Sequence, residues 1–264
     1  MKLGLWWPYS WNDKQLDKSR LVTWRDIGIQ HLIGCPGTPI GQKPTFPRLV
    51  EMCADLGMQA YSLGTWGKVM PWRNYTAGYT PLSHFLTTVT KPYIESPGFG
   101  GYVVAHEDYE AKKEVLQGMV DHLKKIDPNR ICYVVGNAKV SNQPFPLQTV
   151  YLHEDYVNQT GKPFGIQLSY WRKTLPKIPI PWGAILHVGD EIVDGIPYLS
   201  VPTRDNLLSW IYSAMSLGAQ EIWFFPGSSG DEKGRTYLGL DININLWKVI
   251  KQTAARDERL HSYN

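Results

Sequence analysis

The chain has 264 residues, which is enough for one barrel-sized domain or two smaller domains with a sizeable core. With 43% hydrophobic and 19% charged residues, its composition is that of a globular protein and excludes an intrinsically disordered chain. A formal net charge of +3 without a basic stripe argues against nucleic acid as a partner.

The sequence offers no signal for a membrane span or a disulfide framework. Its first apolar run, LGLWW at 3–7, is short, and nowhere do eighteen apolar residues follow one another. We therefore expect no membrane partner and a chain that is either cytosolic or the mature form of an exported protein. Cys35, Cys53 and Cys132 are odd in number and far apart, so we predict buried thiols rather than disulfides or a zinc knuckle.

Taken in chain order, short apolar β-rich runs alternate with longer segments of helical period. The runs are LGLWW (3–7), IQHLIG (29–34), MQAYSLG (58–64), GYVVAHE (101–107), ICYVVGN (131–137), TVYLHED (149–155), GAILHVGD (183–190) and EIWFFPG (221–227). The clearest helical segments are 46–57, 107–127, 204–219 and 244–260, with Thr203 as the N-cap of the third. This alternation predicts a single-domain (β/α)₈ TIM barrel over 1–264. A doubly wound sheet is the alternative, but no GxGxxG follows the first run.

Polar side chains stand where the predicted strands end. They are His106, Glu107 and Asp108 after the fourth, Asn137 after the fifth, His153, Glu154 and Asp155 after the sixth, and His187, Asp190 and Glu191 after the seventh. Because active sites of such barrels form at the carboxyl ends of the strands, these acids could face one another across one mouth. Glycoside hydrolysis needs two carboxylates about 5–5.5 Å apart for retention or about 6.5–9.5 Å apart for inversion. Asp108 and Asp155 could equally be N-caps of the following helices, whereas Glu is a poor N-cap.

Aromatic residues are unusually frequent, with 11 Trp and 15 Tyr. Flat aromatic faces stack well on sugar rings, although most such residues serve as core and rim. Candidates for substrate binding are Trp6, Trp7, Tyr9, Trp66, Trp72, Tyr156 and Trp171, together with His106, Asn137 and His187. Since neighbouring strand residues point to opposite faces, at most one of Trp6 and Trp7 lines the barrel interior.

Four segments resemble glycoside-hydrolase barrels at the superfamily level. GFGGYVVAHEDYE (98–110) is similar to a fourth strand that ends in Asp-Glu-Pro, and PTRDNLLSWIYSAMSLGAQEIWFF (202–225) is similar to the penultimate helix and final strand. AILHVGD (184–190) and VYLHEDY (150–156) resemble the seventh and sixth strand ends. The resemblance implies that Glu107 is the acid/base. It also implies a second carboxylate from strand seven, Asp190 or Glu191, with Glu154 as the fallback.

Three positions depart from that pattern: His106 replaces Asp, Asp108 replaces Pro and His187 replaces Gln. The strand-end acids and the resemblance together predict a glycoside hydrolase acting on a poly- or oligosaccharide through two carboxylates, while the three departures favour a second interpretation. The alternative is a barrel without turnover that serves as a carbohydrate-binding or assembly module. We expect no cofactor. A metal held by His106, His153 and His187 is a lesser alternative, because the first strand lacks a His-x-His pair.

Overall fold

A computed structural model describes most of the chain. The described residues are 1–6, 17–34, 45–63, 94–106, 113–136, 145–154, 164–226, 230–232, 235–240 and 243–261.

Eight parallel strands form a closed barrel, which confirms the fold predicted from the eight apolar runs. They are β1 (Lys2–Trp6), β2 (His31–Gly34), β3 (Gln59–Leu63), β4 (Phe99–His106), β5 (Ile131–Gly136), β6 (Val150–Glu154), β7 (Trp182–His187) and β10 (Glu221–Phe225). The order is β1-β10-β7-β6-β5-β4-β3-β2, so each strand lies beside its neighbour in this series and β10 closes the ring against β1. The molecule is a (β/α)₈ barrel.

Within the described residues, helices follow six of the eight barrel strands, namely β1, β2, β4, β6, β7 and β10, as the alternation predicts. They are α1 (Lys18–Asp26), α2 (Thr45–Leu56), α3 (Lys113–Ile126), α4 (Phe164–Thr174), α5 (Arg204–Ser216) and α6 (Ile244–His261), with a short 3₁₀ turn at Leu175–Lys177. The N-cap prediction for Thr203 is confirmed, because its hydroxyl accepts a hydrogen bond from Asn206 N at 3.2 Å. The predicted 107–127 helix is described from Lys113 onward.

The strands read as nearly continuous apolar runs because both of their faces are covered. One cluster of buried side chains lies between strands and helices and includes Met119 and Leu123 of α3. Cys53 and Cys132 are buried in it, as predicted, and Cys35 lies outside the described residues. A second cluster fills the barrel, where Tyr61, Tyr133 and Trp223 meet edge to face at 5.0–5.8 Å. The barrel is therefore a packed core and not a pore.

Gly4 on β1 makes room for this interior cluster. The ring of Trp223 occupies the space in which a Cβ at Gly4 would stand. A glycine at this point of the strand therefore leaves room for the indole of Trp223 inside the barrel.

A four-stranded antiparallel sheet that the sequence analysis did not predict follows β7 and β10. It consists of β8 (Asp190–Val193), β9 (Ile196–Leu199), β11 (Gly230–Glu232) and β12 (Arg235–Leu238), in the order β11-β12-β8-β9. We call it the accessory sheet. Asp194 and Gly195 join β8 to β9 with φ of 50° and 78°, the Asp-Gly turn typical of a tight hairpin. That dipeptide was the sequence signal for the sheet.

The accessory sheet corrects the prediction that 183–190 is one strand. Barrel strand β7 ends at His187, and Asp190 opens β8 instead. Val188 N still donates to Phe225 O of β10 at 2.7 Å, after which the chain leaves the barrel. In the described part of the chain, no helix is long and apolar enough to cross a membrane.

Candidate active site

The candidate site lies at the carboxyl ends of the barrel strands, where β1, β4, β6 and β7 end in Trp6, His106, Glu154 and His187. Parallel strands bring these four ends to the same side of the barrel. Trp6 belongs to the cluster that fills the barrel, so its side chain faces inward. Its side chain is buried, with 1% of its surface exposed.

An irregularity in β4 turns His106 toward the interior. The register between β4 and β5 shifts between Val103 and Ala105. Val103 packs inside the barrel, whereas Val104 and Ala105 both pack in the outer cluster against the helices. One residue is thus added to the alternation, as in a β-bulge, and the next side chain, His106, returns to the inside.

His106 contacts the carboxylate of Glu154 within the barrel. Its Nε2 lies 3.0 Å from Glu154 Oε2, and the two side chains are only 7% and 9% exposed. The ring of Trp6 lies against the imidazole, with the centroids 4.8 Å apart. A histidine–carboxylate hydrogen bond in such a buried place is stronger than one on a wet surface, because little water competes for either group.

Glu154 reaches the interior through the alternation of β6. Leu152 packs in the inner cluster, and Glu154, two residues on, shares its face. His153 points the other way, where its ring packs 5.8 Å from that of Trp171 on α4 and its Nδ1 lies 3.4 Å from Tyr151 Oη. Complete burial lowers the pKa of His153 to about 3, so the imidazole is neutral.

His153 and Trp171, which were predicted to lie at the mouth of the barrel, lie between β6 and α4 instead. His153 lies on the helix side of β6 and cannot join His106 and His187 around a metal inside the barrel. Trp171 is wholly buried between α4 and β6, so it offers no face for a sugar, and that interpretation was wrong. No group of three His, Cys, Asp or Glu side chains suited to a metal ion occurs within the described ranges.

His187 ends β7 as a buried, neutral side chain. Its ring packs 5.9 Å from Phe225 at the end of β10. Burial lowers its pKa to about 3, so it carries no charge at neutral pH. The interior end of β7 therefore holds an imidazole instead of a carboxylate.

Asp190 and Glu191 lie in the accessory sheet. The Asp190 carboxylate accepts a hydrogen bond from Val201 N at 2.8 Å, which ties β8 to the segment after β9. Glu191, with 3% of its surface exposed, pairs with Leu199 on one side and Tyr237 on the other. Their assignment as the second carboxylate stays a prediction.

The remaining predicted site residues lie outside the described residues. They are Glu107, Trp7, Tyr9, Trp66, Trp72, Asn137 and Tyr156, and the possible N-caps Asp108 and Asp155 lie outside as well. The predictions for them stand as stated. Within the described residues, the feature that the sequence analysis missed is the pairing of His106 with Glu154. Both residues were identified at strand ends, but the bulge that brings them together was not.

Comparisons with known proteins bear on the fold. No family model and no curated protein matches the sequence. Among solved structures, β-galactosidase from the psychrophilic Marinomonas ef1 is similar with a TM-score of 0.70 and 10% identity, over 100% of this chain and 60% of that one. β-D-Glucuronidase from Dictyoglomus thermophilum has a TM-score of 0.67 and 11% identity, over 97% and 50%. The endo-β-1,4-mannanase from Thermotoga petrophila has a TM-score of 0.64 and 15% identity, over 97% and 76%.

This chain thus spans between half and three quarters of those proteins. At such identities the likeness shows the fold alone: this chain forms the same kind of (β/α)₈ barrel as these three glycosidases, as the resemblance implied.

Proposed function

We propose that the protein is a glycoside hydrolase that cleaves a poly- or oligosaccharide with two carboxylates. The observation that carries this proposal is the buried carboxylate of Glu154, held by His106 inside the barrel at the carboxyl ends of the strands. Glu107 follows His106 directly in the sequence. The solved structures of similar fold named above, a galactosidase, a glucuronidase and a mannanase, support the same class of substrate.

In the proposed reaction Glu107 donates a proton to the glycosidic oxygen while the bond to the anomeric carbon breaks. The sugar then carries positive charge, which a second, ionised carboxylate stabilises, until water adds to the anomeric carbon and returns a proton to Glu107. Glu154 suits this second role better than Asp190 or Glu191, because it lies inside the barrel. Asp190 already uses its carboxylate to accept from Val201 N.

The test compares Glu107→Gln and Glu154→Gln with the wild type on a panel of poly- and oligosaccharides. Loss of an acid or base group lowers rates by about 10²–10⁴-fold, so both variants should lose most turnover while retaining sugar binding. Glu51→Gln, a change at an exposed position of α2, is the matched control and should retain full activity. If Glu154→Gln has normal turnover while Glu191→Gln or Asp190→Asn loses turnover, the second carboxylate comes from the accessory sheet and not from Glu154.

A binding module is the second candidate function. It is favoured by His106, which stands where the resembling barrels have Asp and occupies one oxygen of the buried carboxylate. Isothermal titration with the same panel separates the two functions. A wild-type protein that binds a glycan without cleaving it under any condition is a binding module.

A further inference from the structure

We infer that His106 is a positioning residue that keeps Glu154 ionised, so that Glu154 is the permanently charged member of the carboxylate pair and Glu107 the proton donor. The roles of Glu154 and Glu107 in this inference rest on the proposed function. The coupling between His106 and Glu154 rests on their geometry alone.

The hydrogen bond itself favours the charged carboxylate. His106 Nε2 lies 3.0 Å from Glu154 Oε2, and an ionised carboxylate can only accept, so an imidazole that donates its Nε2–H here stabilises the ionised form of Glu154. Burial of both side chains acts in the opposite direction on an isolated carboxyl group, because burial disfavours charge. The ionisation of a buried carboxylate therefore depends more strongly on a hydrogen-bond donor than the ionisation of an exposed carboxylate does.

The surroundings hold the imidazole in place. The Trp6 ring packs against it at 4.8 Å, tilted by 43°, and the bulge in β4 directs its side chain inward. An aromatic ring beside an imidazole also stabilises the protonated ring, which strengthens the attraction to Glu154.

The other titratable groups at this end of the described barrel do not replace His106. His187 on β7 is neutral, since burial lowers its pKa to about 3. Asp190 and Glu191 on β8 are carboxyl groups and have no donor to offer when ionised. Lys2 is paired with Glu221 at 3.1 Å at the opposite, amino end of the barrel. His106, whose Nε2 lies 3.0 Å from Oε2, is a direct hydrogen-bond partner of this carboxylate.

The first experiment measures the pH profile of kcat/KM for the wild type, His106→Gln and His106→Phe. Phe keeps a ring beside Trp6 but has no donor, so the acid limb should move to higher pH by about 1 unit. Gln carries an N–H of similar reach and should restore most of the wild-type profile. A uniform loss of kcat in His106→Phe without movement of the acid limb would mean a merely structural role and would overturn the inference.

The second experiment needs no turnover. Imidazole ¹⁵N signals are recorded against pH, with His106 assigned by its absence in His106→Gln. Replacing Glu154 by Gln removes the negative partner, so the titration midpoint of His106 should fall by about 1 unit. An unchanged midpoint would show that the pair is not coupled and would contradict the inference. Coupling without cleavage of any glycan would instead leave the pair standing and reject the proposed hydrolase.

Discussion

At the scale of single residues, Glu221 organises the amino end of the barrel interior. Its carboxylate accepts hydrogen bonds from Tyr133 Oη at 2.8 Å and Trp223 Nε1 at 3.0 Å, and pairs with Lys2 Nζ at 3.1 Å. Lys2 is partly exposed, whereas Glu221 is buried. A buried acid that satisfies two aromatic donors in this way lets polar Tyr and Trp side chains fill the barrel core.

Replacing Glu221 by Leu should therefore destabilise the fold. The tyrosine hydroxyl and the indole N–H lose a shared acceptor, and each buried polar group left without one costs about 1–3 kcal/mol. We expect the free energy of unfolding to fall by about 2–5 kcal/mol, measured by urea denaturation at pH 7. Glu51→Leu, at an exposed position of α2, should change it by less than about 0.5 kcal/mol. Equal effects of the two changes would show that the Glu221 contacts contribute nothing.

At the scale of elements, α5 begins at a cap that the sequence identifies. Removing the Thr203 hydroxyl leaves Asn206 N without its acceptor. Thr203→Ala should lower the free energy of unfolding by about 1 kcal/mol, whereas Thr203→Ser should stay close to the wild type because it retains the oxygen. Thermal and urea unfolding of the two variants make the comparison, and a Ser variant as unstable as the Ala variant would exclude capping as the cause.

The strands of the barrel were predictable because burial on both faces makes each one a short apolar run. Elements governed by pairing between distant segments were not. The run at 183–190 contains a boundary at Val188 and Gly189 that its hydrophobicity conceals, so Asp190 was placed on the barrel and not on β8. The inward direction of His106 likewise depends on an extra residue in β4, which arises from the register with β5. Strand-end chemistry could be predicted from sequence, but not which strand-end side chains touch.

At the scale of the whole molecule, buried histidines make stability depend on pH. Burial lowers the pKa of His153 and His187 to about 3, and burial together with the nearby Lys2 charge lowers that of His31 to about 4. In the unfolded chain these groups titrate near 6.5, so between that pH and about 3–4 the unfolded state binds more protons. The stabilising contribution is complete above pH 6.5 and is lost as the pH falls.

Lowering the pH from 7.5 to 5 should therefore cost about 2 kcal/mol of unfolding free energy for each of the three histidines. Urea denaturation at a series of pH values measures this slope. The unfolding free energy of His187→Gln should depend less steeply on pH than that of the wild type, because one of the three buried histidines is absent. Identical slopes for the two proteins would mean that His187 takes up protons equally in the folded and the unfolded state, which contradicts its lowered pKa.

The accessory sheet links two loops that lie far apart in the sequence. Its β8–β9 hairpin follows β7 and its β11–β12 pair follows β10, and β12 joins them through antiparallel pairing with β8. If either hairpin were shortened, the other would be left with an unpaired edge, which proteins avoid. The two loops therefore form one structural unit, and an insertion or deletion in one hairpin also alters the edge against which the other pairs.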